Sequence, residues 1–217
     1  MQLDDFLVKK YKLETLTYAH AMIREGFVLV NGRAVVDDNF PVSMNDEIGL
    51  TKEGIEKRPL EFFSFVDLSR TVNIQPTNTI LAYGLLKDEY EILNQRKPEM
   101  LAICLENALD SVPEGIKKYA GNPFAIDLSR EIKKKFDVLV IGLRLNTFQI
   151  AKLLDSNNPL ILKNSKILVK IFGDDREAID FRNALEQLLK PINIISKEIV
   201  KPKYVRNMHW LLLEKIK

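Results

Sequence analysis

Short apolar runs punctuate this chain, and the spacing between them changes beyond residue 52. The sharpest signal is Phe27-Val28-Leu29-Val30-Asn31-Gly32-Arg33-Ala34-Val35-Val36. Asn-Gly supplies the positive φ angles that a two-residue hairpin turn demands, and short β-rich runs flank it. Two short helices are predicted ahead of it, over 3–10 with Asp4 and Asp5 in the first turn, and over 15–25 ended by Gly26. Ala19, Met22 and Ile23 fall at helical spacing and are expected to face a core.

Residues 52–78 mix Pro59 and Pro76 with polar residues around Glu61-Phe62-Phe63-Ser64-Phe65-Val66, and read as a connector with room for one strand. Farther on, apolar runs at 79–83, 100–105, 124–126, 137–141, 166–172, 192–195 and 210–213 read as strands. Helices are predicted between them at 88–97, 106–119, 129–136, 146–155 and 174–190, the last stopped by Pro191. Such alternation implies an α/β sheet of mainly parallel strands. The final two strands have no helix between them and are expected to form an antiparallel hairpin at one edge. The predicted organisation is a small α+β module over 1–52, a connector over 53–77 and an α/β domain over 78–217.

With 46% apolar and 29% charged residues among 217, the chain can bury a core, which excludes a wholly disordered polymer. The single cysteine, Cys104, makes no internal disulfide; it lies inside an apolar run and is expected to be buried and inert. His20 and His209 fall in different domains and no Cys/His spacing fits zinc, so no metal is expected. Met1-Gln2-Leu3-Asp4-Asp5 lacks the basic start of a secretory leader, and no uncharged run approaches the ~20 residues of a membrane span. The expectation is a soluble, cytoplasmic protein. The net charge of +2 hides an asymmetry: residues 1–50 hold five basic against eight acidic residues, and residues 163–217 hold twelve against seven. Phosphate binding depends on where charge sits, so the sum alone excludes nothing.

In order and spacing, Leu3-Asp4-x-x-Leu7, then Ala19-x-x-Met22-Ile23-Arg24-Glu25-Gly26-x-Val28-x-Val30-Asn31-Gly32, then Val36 and 42–48 resemble the S-four (alpha-L) RNA-binding domain. The resemblance covers nearly the whole module. It implies an RNA partner, structured ribosomal or transfer RNA, met by the second helix and the hairpin through shape and phosphate contacts. Carried onto this chain, the contacting residues are Arg24, Asn31 and Arg33, with Lys10, Lys12 and His20 beside them. The pattern departs at Thr15-Leu16, where Ser-Arg usually opens the second helix. Thr15 keeps a capping hydroxyl, whereas Leu16 offers nothing to a phosphate.

A small RNA-binding module followed by an α/β domain looks like the TlyA haemolysin and FtsJ-like ribose-methyltransferase families. The run Ile167-Leu168-Val169-Lys170-Ile171-Phe172 resembles the strand that carries a lysine of the FtsJ-like Lys-Asp-Lys-Glu set. Lys201-Pro202-Lys203-x-x-Arg206-Asn207-x-x-Trp210-Leu211-Leu212-Leu213 resembles the closing hairpin. A Rossmann-like, methyltransferase-type domain over 78–217 is thereby implied. The same resemblance puts S-adenosylmethionine at the turn 82–88 with its one glycine, Gly84, Glu106 toward the ribose hydroxyls, Asp127 near adenine, and Lys170 as catalytic lysine if the domain is active. The remaining catalytic positions lack a match: Val140-Ile141-Gly142-Leu143-Arg144 stands where an aspartate follows the fourth strand, and Met208 or His209 where a glutamate falls. A lysine takes a proton from a ribose hydroxyl only with neighbours that lower its pKa or fix its position.

The resulting expectation is an RNA-binding protein whose methyltransferase-like domain has lost catalysis and takes no cofactor. Lys201, Lys203 and Arg206, with Tyr204 and Trp210 among them, extend the RNA surface by phosphate contact and stacking. One alternative is an S-adenosylmethionine-dependent RNA methyltransferase, ribose 2′-O or related, with a non-standard cofactor pocket. Another makes both domains protein-docking surfaces.

Overall fold

The computed structural model describes residues 1–11, 16–52, 68–69, 72–125, 128–201 and 207–217. The chain forms two compact units, Met1–Phe65 with Lys203–Val205 and Val66–Pro202 with Arg206–Lys217.

In the first unit, helices α1 (Leu3–Tyr11) and α2 (Leu16–Arg24) precede three strands, β1 (Val28–Val30), β2 (Arg33–Val35) and β3 (Ile48–Leu50). The strands lie in the order β2-β1-β3, antiparallel throughout. Gly26, at φ +75°, closes α2: its amide donates to the Ile23 carbonyl and the Phe27 amide donates to the Met22 carbonyl. These two bonds form a Schellman C-cap and satisfy carbonyls that the helix end would leave open. Asn31 (φ 51°) and Gly32 (φ 76°) both adopt the left-handed conformation and turn β1 into β2, as the Asn-Gly pair predicts. Leu3, Leu7, Ala19, Met22, Ile23 and Val28 are fully buried, so the helical stripe read from sequence does face the core. Each large side chain among them stabilises the module by about 1.5–3 kcal/mol. Thr15, read as a cap, lies outside the described residues.

The second unit alternates strand and helix: β4 (Thr79–Tyr83), α3 (Lys87–Asn94), β5 (Glu99–Cys104), β6 (Lys117–Ala120), α4 (Leu128–Glu131), β7 (Phe136–Ile141), α5 (Thr147–Asn157), β8 (Ile161–Phe172), α6 (Asp175–Leu189), β9 (Ile194–Val200) and β10 (Met208–Lys215). Seven strands form one sheet in the order β6-β5-β4-β7-β8-β10-β9. The pairs from β6 through β8 are parallel, and β10 runs antiparallel between β8 and β9. The expected terminal hairpin is therefore present, with its second strand on the inside. Leu81, Tyr83, Ile103, Ile141, Val169 and Leu211 supply the buried centre of the sheet, with Leu154 and Leu185 packed on it from α5 and α6. Both of those helices open with a capping box, Asn146 with Gln149 and Asp174 with Glu177.

Three expectations fail. The helix expected over 129–136 spans only Leu128–Glu131, and Phe136 already opens β7. Residues 106–119 do not form a helix: a short 3₁₀ turn, Glu106–Ser111, gives way to strand β6. Residues 124–125 are a turn, and Phe124 packs on the core from there. β6 is an edge strand with mostly exposed side chains, so Lys117-Lys118-Tyr119-Ala120 carries no apolar run to read. Most of the expected connector lies outside the described residues; from its end, Leu68, Val72 and Ile74 are buried.

The chain winds outward from β4 to β6 on one side, then crosses to β7 on the other. Ligands of open α/β sheets sit beyond the carboxyl ends of the strands where such a reversal occurs. The ends of β4 and β7 are thus the place where chemistry is expected.

Candidate functional site

The first unit presents its polar residues on α2 and around the hairpin. Arg24, in the last turn of α2, forms an ion pair with Asp38. His20, one turn earlier, has Nε2 2.8 Å from Asp4 Oδ2 and Nδ1 3.9 Å from Asp38 Oδ2. Burial pushes the Asp38 carboxyl up, but the Arg24 hydrogen bond, its own backbone amide and the charges of Arg24 and His20 outweigh this and hold it below its usual range. A phosphate that engages Arg24 must therefore displace a carboxylate. Asn31 works inward as well as at the turn: its Oδ1 accepts the Glu47 amide at 2.9 Å, and its Nδ2 donates to Asp46 at 2.9 Å. These bonds tie the hairpin to the approach of β3. Arg33, on β2, is exposed. The side chain of Lys10, and the whole of Lys12, lie outside what is described.

In the second unit Lys170 is buried, 3% exposed, with Nζ 2.7 Å from Glu89 Oε1 and 5.2 Å from the centroid of the Trp210 ring. Glu89 is fully buried on α3, and its other oxygen accepts the Leu86 amide at 2.9 Å. One carboxylate thus caps α3 and neutralises the lysine. Lys170 needs a positioned partner for proton transfer, and the partner it has fixes the ammonium in the interior.

The Asp175 carboxylate at the start of α6 lies 2.5 Å from Lys201 Nζ and 2.9 Å from Nε2 of the buried His209. The hydrogen bonds from Lys201 and His209 hold the Asp175 carboxyl below its usual range. Lys201, expected to meet RNA, is exposed and paired. Lys203, Arg206 and Asp127 lie outside the described residues. Burial pushes the Cys104 thiol up, away from the reactive thiolate.

A groove of about 850 Å³ opens beyond the carboxyl ends of β5, β6 and β7, lined among others by Glu106, Asn107, Asn122, Phe124, Leu143 and Arg144. Glu106 is exposed at its rim, where the resemblance puts a ribose-binding acid. Arg144 lies over Phe172 at the end of β8, 5.3 Å from the ring centroid. The other half of the expected cofactor site is filled. Gly84 has φ +58°, and a methyl group placed on it would lie 2.1 Å from Leu143 Cδ2. Gly142 approaches the same backbone, its amide donating to the Tyr83 carbonyl at 2.8 Å. The space that a side-chain-free glycine would leave for a ligand holds a leucine instead. The residues at β4 therefore do not fit the amino-acid half of S-adenosylmethionine. Sequence reasoning marked 140–144 for its missing acid; it gave no sign that Leu143 reaches Gly84. Among the described residues no group of three or more His, Cys, Asp or Glu side chains is arranged to hold a metal ion.

Residues 1–48 match the S4 domain family. Comparison with curated proteins finds no match. Among solved structures, a protein named as a candidate hemolysin from Streptococcus thermophilus is similar over 100% of this chain and 89% of its own, at 10% identity and TM-score 0.57. A protein similarly named from Lactococcus lactis covers 72% of this chain and 88% of its own, at 10% identity and TM-score 0.56. The N-methyltransferase NodS from Bradyrhizobium japonicum, in complex with S-adenosyl-l-homocysteine, covers 76% of this chain and 91% of its own, at 11% identity and TM-score 0.57. The class is thus a segment that matches the S4 domain joined to an α/β unit whose fold is like that of methyltransferases. More particularly, the chain carries an S4 domain at its start and resembles hemolysin-type proteins in the fold of its whole length. Among the described residues, no helix is long and apolar enough to cross a membrane.

Proposed function

We propose that this chain binds structured ribosomal or transfer RNA through its S4 domain, and that its methyltransferase-like domain no longer transfers methyl groups. The match of residues 1–48 to the S4 domain carries the RNA reading. Arg33, exposed on β2, is placed to meet a phosphate directly, whereas Arg24 and His20 must first exchange Asp38 or Asp4 for one. The acidic partners keep the module's charge low, so recognition leans on RNA shape more than on bulk electrostatics. Loss of catalysis is supported by Leu143 over Gly84, by the run 140–144 without the aspartate that the resemblance implies, and by Lys170 locked to Glu89.

The test is a fluorescence-anisotropy titration of the full chain with a transfer RNA and a ribosomal RNA hairpin at several salt concentrations. Affinity is expected to fall with salt by a log–log slope of about 0.7–0.9 per phosphate contact, and Arg33→Glu to weaken binding and shallow that slope by about one contact. Absent or salt-independent binding refutes the RNA reading. Transfer of labelled methyl from S-adenosylmethionine to any of these RNAs refutes the loss of catalysis.

A further inference from the structure

The sheet topology puts the ligand crevice between the ends of β4 and β7, and the open groove is lined by the segments that follow β5, β6 and β7 rather than by the turn after β4. Leu143 stands between the groove and that turn. It lines the groove and fills the space over Gly84, and it is half-buried against the core, so it is held in place. We infer that Leu143 is a specificity determinant: the groove accepts a nucleoside over β5 and β6 and rejects one whose ribose carries an amino-acid tail toward Gly84.

The groove has the chemistry for the part it accepts. The Glu106 carboxylate accepts hydrogen bonds, which suits the two vicinal hydroxyls of a ribose. Leu105 and Phe124 offer apolar contact to a base, and Asn107 and Asn122 carry amides for its edge. The loop that presents them is itself fixed, because Asn122 Oδ1 accepts the Phe124 amide at 3.0 Å and the Gly121 amide donates to the Cys104 carbonyl at 2.9 Å. About 850 Å³ lies in the range of small-molecule sites, so bulk does not exclude the tail; its direction does. This inference rests on the loss of methyl transfer in the proposed function and is independent of the RNA part.

Calorimetric titration of the full chain with adenosine and with S-adenosylhomocysteine tests it, in the wild type and in Leu143→Ala and Glu106→Gln. Adenosine should bind the wild type, with S-adenosylhomocysteine about tenfold or more weaker; Leu143→Ala should narrow that gap to within about threefold, and Glu106→Gln should weaken adenosine. Equal binding of both ligands to the wild type overturns the inference, as does no adenosine binding. A gap unchanged in folded Leu143→Ala also overturns it. Were that variant not to fold, the wild-type comparison decides by itself. Any of these failures leaves the RNA titration and the methyl-transfer assay to judge the proposed function separately.

Discussion

Lys170→Met removes the cation from a pair whose members are 3% and 0% exposed and 2.7 Å apart. Glu89 is then left buried without the ammonium, while the Leu86 amide still donates to its Oε2. Breaking a buried pair from one side costs about 3–5 kcal/mol, because the remaining charge keeps its desolvation penalty without its partner. The cation over Trp210 is lost as well, but methionine places a polarisable sulfur near the same ring and offsets part of that. The second substitution, Glu89→Gln, removes the stranded charge and keeps an oxygen for the Leu86 amide. The double variant is therefore expected within about 1–2 kcal/mol of the wild type, far above the single one. Trp210 is the one tryptophan in the chain and belongs to the second unit, so urea unfolding followed by its fluorescence reports this unit alone. A single variant that loses less than about 1 kcal/mol, or a double variant less stable than the single, refutes the account of a mutually dependent pair.

Asp38→Asn releases Arg24 and removes a negative charge from the α2 face, so RNA affinity should rise about two- to tenfold at low salt, read by the same anisotropy titration. Asn31→Ala loses two side-chain hydrogen bonds and puts alanine at φ 51°, which should cost about 1–2 kcal/mol in thermal unfolding. In the same variant the Asp46 carboxyl, held low first by the Ser43 amide and then by Asn31, should move up in a carboxylate NMR titration. Asp38 titrates below its usual value despite the opposing effect of burial, so its share of stability is complete above about pH 4 and lost as the pH falls through the lowered value. Arg24→Ala should raise that value and narrow this part of the acid dependence, measured by NMR titration of Asp38.

Much of this arrangement is legible locally. The run Thr79-Ile80-Leu81-Ala82-Tyr83 forms a strand with the bounds that its apolar pattern predicts, because a strand buried on both faces has no polar positions to blur it. Asn31-Gly32 defines its turn through backbone conformation alone. β6 escapes because an exposed edge leaves almost no hydrophobic trace, and Phe124 misleads because loop residues can also fill a core. The site is less legible than the fold. Glu89 has the sequence character of a helix-capping acid, and nothing in its neighbourhood says that a lysine from β8 arrives beside it. The same holds for Leu143 and Gly84: a glycine after the first strand of the sheet marks a place where something comes close, but a ligand and a leucine ask the same of the backbone.

The position of β10 bears on how the second unit is made. β8 and β9 are separated in the sheet by a strand that comes after both in the order of synthesis. A nascent chain that has emerged through Val200 holds β9 without its sheet partner, and β8 with one edge unpaired. Such edges attract other strands. A ribosome stalled between Val200 and Met208 would therefore display a protease-sensitive, aggregation-prone second unit, and release of residues 208–215 would close it in one step.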